Sequence, residues 1–281
     1  MEIIEKRLKK IIGAHRNSVG LLYSGGLDSS IIAKIMTILI PPSSIIVVSV
    51  GLRDSIDLNN AILGAEILGI DLNICFLTEE RVLETTEILK QINIINHPVA
   101  LSIAIPIFLG MQTLANKLNV KTVLLGQGAD ELFGGYQRYV QLYEKKGLDA
   151  IKKAMTGDLR ALQEDQIIRE QKMAQFFGLN LIYPFLDPKI IKRANSYPIS
   201  NHISYTPQEK VIRKVLLRNL GKKLDLPEII VERPKKAIQY GSGTIKLLKK
   251  IAKSNNYRNI ADWFQAYFQQ NNTSLNQIEK I

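Results

Sequence analysis

The sequence of 281 residues contains one cysteine, Cys75, and three histidines, His15, His97 and His202. A single thiol cannot form an intrachain disulfide, nor can it supply the paired cysteines of a zinc site. The histidines lie far apart and show none of the spacings typical of metal ligands. These shortages exclude a disulfide scaffold and a cysteine-based zinc fold, and we expect Cys75 to be a core residue.

A secretory signal is also missing from the sequence pattern. The chain begins Met1-Glu2-Ile3-Ile4-Glu5-Lys6, which mixes charged and apolar residues and lacks the apolar region of a signal peptide. We expect the apolar runs further along the chain to be interrupted by charge before they could cross a bilayer. A cytoplasmic protein is predicted.

Positive charge is unevenly distributed. The net charge is +11, and the segment 205–253 holds 13 Lys and Arg against 4 Asp and Glu. Such a block attracts polyanions, of which ATP and RNA are the two candidates. For most of these lysines a solvated basic helical face is the preferred interpretation.

Short β-branched runs alternate with helical patterns in the first half of the chain. This alternation predicts an α/β fold in which a parallel sheet carries helices on both faces. Ligands of such sheets bind outside the carboxyl ends of the strands, so the loops after Tyr23, Val50 and Leu125 are the candidate sites. The predicted strands are 19–24, 45–50, 72–77 and 122–125, and the predicted helices are 28–39, 57–68, 79–90 and 101–118.

The pattern becomes mainly helical after about residue 139. Helices are predicted over 207–217 and 244–253, and no Gly/Ser linker separates them from the first half. We therefore expect a core over residues 1–200 and a helical extension over 201–281 that packs on the core and completes its active site.

The segment Ser24-Gly25-Gly26-Leu27-Asp28-Ser29-Ser30 stands where the first strand ends and the first helix begins. Its glycines permit a tight turn, and its hydroxyls and the helix N-terminus supply donors for an anion. Asp28 is suited to hold magnesium against bound phosphates. The segment lacks the Lys-Ser/Thr ending of a Walker A loop. An ordinary glycine-containing helix start is the alternative, and the flanking strand and helix argue against it.

A second glycine-bounded segment follows the fourth strand. It reads Gly126-Gln127-Gly128-Ala129-Asp130-Glu131 and ends at Gly134-Gly135-Tyr136. The paired acids suit a second metal ligand that faces the first loop. The alternative is an Asp-Glu pair placed for the helix dipole.

The first segment resembles the PP-loop of the N-type ATP pyrophosphatases. The second is similar to the G-E-G-x-D-E-x-F-G-G-Y motif of asparagine synthetases and β-lactam synthetases, which belong to that class. The resemblance implies an adenine nucleotide α-hydrolase-like fold that uses ATP and Mg²⁺, with Asp28 and Asp130 as magnesium ligands. It implies attack of a carboxylate on the α-phosphorus and release of pyrophosphate. The residues it assigns to pyrophosphate binding are Ser24, Gly25, Gly26, Ser29 and Ser30.

Further segments match the asparagine synthetase family in the same order, from about residue 18 to residue 253. The resemblance gives Lys235 the role of stabilising the adenylation transition state, with the adjacent Lys236 as the alternative. It places Gln127 and Arg169 in the acceptor or acyl pocket. The remaining matches are Val50 and Gly51 beside adenine, Gly128 beside the nucleotide, Pro184–Asp187, Lys210 and Arg213 near the phosphates, and Arg233-Pro234 before the lysine.

The chain departs from the family pattern at three positions. Gln127 stands where the motif has glutamate, and an amide can orient an amine but cannot take its proton. Asn180 and Ile182 stand where the family has a charged pair before Pro-Phe-Leu-Asp. The identity of the acyl substrate, aspartate in the family, therefore stays open.

No amino-terminal cysteine nucleophile of a glutaminase follows Met1. The nitrogen is therefore expected from free ammonia, another amine or a separate glutaminase subunit. The predicted function is an AMP-forming carbon–nitrogen ligase that adenylates a small carboxylate. A PP-loop enzyme that adenylates a tRNA base is the second hypothesis, favoured by the basic block but not by the single cysteine. A non-catalytic nucleotide-binding protein ranks third, because both aspartates are present.

Overall fold

Five strands form one parallel sheet in the computed structural model, which describes residues 1–15, 18–205, 211–234 and 236–269. Two further short strands pair antiparallel beside it. The strands are β1 (Val19–Leu22), β2 (Ile45–Gly51), β3 (Leu72–Phe76), β4 (Thr122–Leu124), β5 (Asn180–Ile182), β6 (Ile203–Tyr205) and β7 (Val211–Arg213).

Helices connect the strands and make up most of the second half of the chain. The long helix α7 is broken at Gly147, whose backbone is not helical. The helices are α1 (Glu2–Gly13), α2 (Leu27–Leu39), α3 (Ile56–Leu68), α4 (Glu79–Gln91), α5 (Pro98–Gln112), α6 (Ala129–Phe133), α7 (Gln137–Ala161), α8 (Ile167–Phe176), α9 (Pro188–Asn195), α10 (Val215–Lys223), α11 (Glu228–Val231), α12 (Ile238–Gly241), α13 (Thr244–Ser254) and α14 (Ile260–Gln269).

The strand order in the large sheet is β3-β2-β1-β4-β5, and every pair is parallel. This arrangement confirms the predicted α/β class with a parallel sheet. The strands are continuous apolar runs because both faces are covered by helices.

Alternate residues of each strand enter different apolar cores on the two faces of the sheet. Leu21 and Leu124 pack with α1, α2 and α10, whereas Val48 and Val123 pack with α4, α5 and α13. Helices that follow residue 200 thus contribute to both cores. The division of the chain at residue 200 stays a prediction.

Helix starts are set by local chemistry. Ser55 caps α3 and Thr78 caps α4 through their hydroxyls, and the His97 ring nitrogen Nδ1 accepts from the N–H of Ala100 in α5. A cap of this kind stabilises a helix by about 1 kcal/mol. Cys75 lies in β3 and is buried, which confirms the prediction of a core residue.

The Pro-Phe-Leu-Asp segment has a structural role. Phe185 is fully buried and packs edge-on against Phe133 of α6 at a centroid distance of 6.1 Å. Asp187 caps α9 and binds the Arg7 guanidinium through two hydrogen bonds of 2.9 and 2.6 Å. The segment therefore joins α1, α6 and α9 near the sheet.

Two sequence expectations were wrong. The helix predicted over 207–217 begins only at Val215, and residues 211–213 instead form β7, which pairs with β6; residues 207–210 lie outside the described part of the chain. The apolar run Pro98–Lys117 is not interrupted by charge and is long and apolar enough to cross a membrane, but 72% of its most apolar window is buried inside the protein. This run forms α5 and the turn after it, where its apolar side chains serve the core.

Candidate functional site

The strand order reverses between β1 and β4, and both candidate loops begin there. β2 and β3 lie on one side of β1, and β4 and β5 lie on the other. At such a point the following helices cross opposite faces, which opens a crevice outside the carboxyl ends of the strands. Because Leu21 is in register with Leu124, the loops after the two strands leave the sheet side by side.

The loop after β1 is held by its own hydrogen bonds and by glycine. Gly25 has a φ of +65°, and a Cβ on it would lie 2.4 Å from the Asn60 backbone in α3. Ser24 Oγ accepts from the N–H of Gly26 at 3.3 Å, and Ser29 Oγ donates to the carbonyl of Gly26 at 3.2 Å. A fixed loop at the start of a 13-residue helix is a preformed anion site.

The loop after β4 turns sharply at both ends of α6. Gly128 has a φ of +88° and Gly134 a φ of +74°, and a Cβ on Gly128 would lie 2.2 Å from Leu186 Cδ2. The short helix between them carries Asp130 in its first turn. Beside it, burial and the charge of Asp130 raise the pKa of Glu131, which accepts a hydrogen bond from the Tyr136 hydroxyl.

Lys214 joins the two loops. Its ammonium lies 2.6 Å from Asp28 Oδ2 and 2.7 Å from Asp130 Oδ1. All three side chains are largely buried, with exposed fractions of 6%, 15% and 12% for Lys214, Asp28 and Asp130. Gly135 leaves room for this contact, because a Cβ there would lie 1.9 Å from Asp130 Oδ1 and 2.4 Å from Lys214 Cε.

The two aspartates are suited to hold a magnesium ion. The second oxygen of Asp28, Oδ1, is buried and has no hydrogen-bond partner among the described residues. Within that same part of the chain, no group of three or more His, Cys, Asp or Glu side chains could hold a metal. In phosphoryl-transfer sites, Mg²⁺ is typically bound by one or two carboxylates, and water and phosphate oxygens fill its other coordination positions.

A cavity of about 470 Å³ opens on one side of this cluster. Its volume lies in the range typical of small-molecule sites. Its apolar lining comes from β1, β2 and α5, and its polar lining comes from both loops and from Gln166, just before α8. The apolar group is Leu22, Val48, Val50, Ile103, Pro106 and Ile107, and the polar group includes Ser24, Asp28, Ser29, Gln127, Asp130 and Gln166.

A second cavity, of about 530 Å³, lies on the other side of Asp28. We call it the cationic cavity, because five cations line it against two carboxylates, Asp28 and Asp57. The cations are Arg213, Lys214, Arg218, Arg233 and Lys236, and they lie beside Ser24 and Gly26. The Arg233 guanidinium donates to the Gly25 carbonyl, and Arg213 donates to the Gly135 carbonyl at 2.7 Å. Burial lowers the pKa of both arginines, since each guanidinium is partly removed from water. An anion bound here would offset that cost.

A buried carboxylate stands behind Gln127. Glu170 of α8 is 1% exposed, and its Oε1 accepts hydrogen bonds of 2.8 Å from Nε2 of Gln127 and from Nε2 of Gln166. Burial raises the pKa of this carboxyl group. Each amide gives one N–H of Nε2 to Glu170, so the acceptor Oε1 and the second N–H of each are left to contact a ligand in the first cavity.

The predicted site residues separate into three groups. Those at a cavity wall are Ser24, Gly26, Asp28, Ser29, Val50, Gln127, Gly128, Asp130 and Arg213. Gly25, Gly51, Ser30 and Arg169 line neither cavity: Ser30 Oγ is within 3.0 Å of the Tyr23 hydroxyl, and Arg169 pairs with Asp165, which precedes α8. Lys235 and Lys210 lie outside the described residues, while Lys236 lines both cavities.

Sequence reasoning missed Lys214, Gln166 and Glu170. The family resemblance assigned Arg213 and Arg169, and the residues that contact the site, Lys214 and Glu170, directly follow them in the chain. The i, i+4 spacing of Gln166 and Glu170 places both on one helical face, which was the available signal. The contact of Lys214 with both loops is long-range and leaves no local pattern.

The asparagine synthase family model matches residues 14–147 and 141–272, which together make up most of the chain. The chain belongs to the asparagine synthase family. This membership confirms the resemblance carried by the two glycine-bounded loops.

Individual members of the asparagine synthase family align with most of the chain. A protein provisionally named glutamine-hydrolysing asparagine synthetase 1 of Methanocaldococcus jannaschii is 31% identical, over 88% of this chain and 49% of its own length. Glutamine-hydrolysing asparagine synthetase 1 of Arabidopsis thaliana is 30% identical, over 80% of this chain and 39% of its own length. The chain thus spans at most about half the length of these relatives.

Among solved structures, this chain was aligned with an NMN synthetase of Francisella tularensis. The two sequences are 13% identical, and the alignment covers 97% of this chain and 93% of the synthetase chain, with a TM-score of 0.44.

Proposed function

We propose that the chain is an ATP-dependent, AMP-forming amide ligase that adenylates a small carboxylate, aspartate first among them, and transfers the acyl group to ammonia or another amine. One observation carries the proposal. The loops after β1 and β4 meet at the point where the strand order reverses, and they bring two buried aspartates to within 2.7 Å of one ammonium, at the edge of both cavities.

ATP fits across the two cavities. Ser24, Asp28, Asp57 and Lys236 line both, so they mark the boundary between them. The apolar wall of the first cavity suits the adenine ring, and the cationic cavity suits the β- and γ-phosphates. This placement leaves the α-phosphate at the boundary, beside the first loop. The N-terminus of α2 would then stabilise phosphate charge through its free N–H groups.

Magnesium would be held by Asp28 and Asp130. When bound, it supplies positive charge that offsets the phosphate charge and draws electron density from the bond to the leaving pyrophosphate. The protein side chains contribute a second source of charge stabilisation. Arg213, Arg233 and Lys236 surround the position where pyrophosphate would leave, and fixed cations act most strongly in such a partly buried site.

The acyl and amine substrates would occupy the polar end of the first cavity, near Gln127 and Gln166. The amide oxygens there accept hydrogen bonds but cannot take up a proton. Glu170 fixes both amides, so a substrate N–H meets preset acceptors. Such a wall suits ammonia or a primary amine.

The reaction has two displacements. A carboxylate oxygen attacks the α-phosphorus, the bond to the bridging oxygen breaks, and pyrophosphate leaves. The amine nitrogen then attacks the acyl carbon, the bond to the phosphate oxygen breaks, AMP leaves, and the nitrogen loses one proton to solvent. Holding the nucleophile and the acyl phosphate in neighbouring parts of one cavity supplies the proximity that the second step requires.

Pyrophosphate release from Mg·ATP tests the proposal. The assay compares aspartate with other small carboxylates, each with ammonia, with glutamine and with neither. We expect release that depends on one carboxylate, with AMP and the corresponding amide as products. Release of orthophosphate and ADP, or no release with any carboxylate, would contradict the proposal.

A matched pair of variants links the activity to the site. Asp130→Asn keeps the shape of the side chain and removes its charge, so pyrophosphate release should fall by at least about a hundredfold. Asp149→Asn makes the same change at an exposed position of α7 and should leave the rate unaltered. Equal rates in the two variants would remove Asp130 from the mechanism.

A further inference from the structure

Lys214 adopts a backbone conformation that lysine rarely takes. It follows β7 directly and precedes α10, with a φ of +57° in the left-handed region. Side chains with a Cβ are disfavoured there by about 1 kcal/mol or more. The residue is nevertheless 4% exposed. A strained, buried lysine persists when the surrounding structure fixes it, and here the two aspartates do so.

The charge of the cluster is set by Lys214. Asp28 and Asp130 bring two negative charges into a buried position, and the ammonium at 2.6 and 2.7 Å compensates one of them. Without the ammonium, the two carboxylates would repel each other and attract a divalent cation. With the ammonium in place, the negative charge that an incoming cation meets is halved, and the ammonium occupies the space between the two carboxylates.

A metal ion that joins Asp28 and Asp130 would stand a few ångströms from the ammonium even if it bound Asp28 through Oδ1, the oxygen that Lys214 does not hold. Like charges a few ångströms apart repel strongly in a partly buried site. Entry of a divalent ion therefore requires the lysine to leave. The neighbouring cationic cavity is open to its flexible four-carbon side chain, since Lys214 already lines it. Besides Lys214, four cations line that cavity against two carboxylates, Asp28 and Asp57, so the ammonium would meet net positive charge there unless an anion entered with it; the four cations are Arg213, Arg218, Arg233 and Lys236.

We propose that Lys214 is a positioning residue of the nucleotide site: its ammonium holds the two aspartates together and excludes a divalent ion until polyphosphate binds in the cationic cavity, where it then pairs with the phosphates. This inference rests on the proposed use of ATP with a divalent ion. It assigns a binding order, in which the metal enters with the nucleotide and not before it.

Binding of Mn²⁺ to the unmodified protein tests the order directly. Free Mn²⁺ is measured by electron paramagnetic resonance, first with protein alone and then with protein and a non-hydrolysable ATP analogue. No acyl substrate is present, so the result is independent of which carboxylate the enzyme activates. We expect Mn²⁺ to bind at least about tenfold more tightly with the analogue than would follow from its affinity for the analogue in solution. Tight binding of Mn²⁺ to protein alone would overturn the inference.

Substitution of Lys214 provides the second test. Lys214→Met should lower the thermal midpoint, gain Mn²⁺ affinity without nucleotide by at least about tenfold, and recover its midpoint when Mn²⁺ is added. Lys214→Arg keeps the charge and should still exclude Mn²⁺. The control is Lys222→Met on α10, whose lysine pairs with Glu232 at the surface and should change none of these properties.

The outcomes separate this inference from the proposed function. Equal Mn²⁺ affinity of Lys214→Met and the unmodified protein, without nucleotide, would overturn the inference even if the ligase reaction is found. If Mn²⁺ binds in the expected order but no carboxylate supports pyrophosphate release, the ligase proposal fails and the role of Lys214 stands. Should Lys214→Met not fold without metal, refolding that depends on added Mn²⁺ would support the inference. Lys214→Arg then serves as the second variant: exclusion of Mn²⁺ without nucleotide supports the inference, and tight binding of Mn²⁺ overturns it.

Discussion

Replacement of Gly135 by alanine would place a methyl group inside the contact between Lys214 and Asp130. The added carbon would lie 1.9 Å from Asp130 Oδ1 and 2.4 Å from Lys214 Cε. Because non-bonded heavy atoms do not approach a Cβ closer than about 3 Å, both groups have to move, Asp130 by about 1 Å and Lys214 by about half as much. Gly135→Ala therefore tests whether the cluster of two aspartates and one lysine must keep its present geometry.

A displacement of this size has two expected consequences. Misplacing a group that binds the metal or the phosphates by about 1 Å should lower the rate of pyrophosphate release by about a hundredfold. Weakening a buried ion pair should also lower the free energy of unfolding by about 3 kcal/mol. The rate is measured at saturating ATP, and the unfolding energy is measured by urea titration.

Gly157→Ala is the matched control. Gly157 lies inside α7, and a Cβ there would meet nothing within 4 Å. Alanine should stabilise this helix by about 0.5–1 kcal/mol and leave the rate unchanged. If Gly135→Ala retains a rate within about twofold of the unmodified protein, the reasoning from the close contact is refuted.

Three further predictions concern acidity, the amine wall and a helix cap. Burial lowers the pKa of His202 from 6.5 to about 4. Between about pH 7 and pH 5 the imidazole therefore becomes protonated in the unfolded chain but stays neutral in the folded protein. The free energy of unfolding should fall by about 2 kcal/mol over this range. His202→Gln should lose this part of the pH dependence in urea titrations. Gln127→Leu removes an acceptor and the 2.8 Å bond to Glu170, so the KM for ammonia or amine should rise at least about tenfold while the KM for ATP stays within about twofold. Asp187→Ala loses both the α9 cap and the Arg7 pair, whereas Asp187→Asn keeps a capping oxygen, so the alanine variant should be less stable in urea by about 1 kcal/mol.

Each of these predictions has a result that contradicts it. Parallel pH profiles for the unmodified protein and His202→Gln would show that the buried imidazole does not control the acid limb. An equal rise in both KM values for Gln127→Leu would indicate general damage to the cavity and no role in binding the amine. Equal stabilities of the two Asp187 variants would remove the cap as the cause.

The sequence predicted the sheet because its strands are local signals. Runs such as residues 45–50 are apolar and β-branched, and they are followed by helical patterns of the expected length. Local patterning of this kind is sufficient to locate the first four strands of the sheet and the loop at Gly25 and Gly26. The position of both loops at the carboxyl ends of β1 and β4 follows from the parallel topology.

The missed elements depend on tertiary contacts. The strand β5 has three residues and begins at Asn180, a residue type that is uncommon in strands, and it exists because it pairs with β4. The strand β7 lies in a segment with a helical pattern, and pairing with β6 overrides that pattern. For the site, the motifs identified Asp28 and Asp130. The contact of Lys214 with them has no local signature, because Lys214 and Asp28 lie 186 positions apart in the chain.

The transfer of an oxygen atom tests the central claim most directly. The carboxylate substrate is labelled with a heavy oxygen isotope, and the products are analysed by mass spectrometry after turnover with ATP and an amine. If the carboxylate attacks the α-phosphorus, one labelled oxygen must appear in AMP and none in pyrophosphate. Label in orthophosphate, or AMP that carries no label, would contradict the account of this site as one that forms an acyl adenylate.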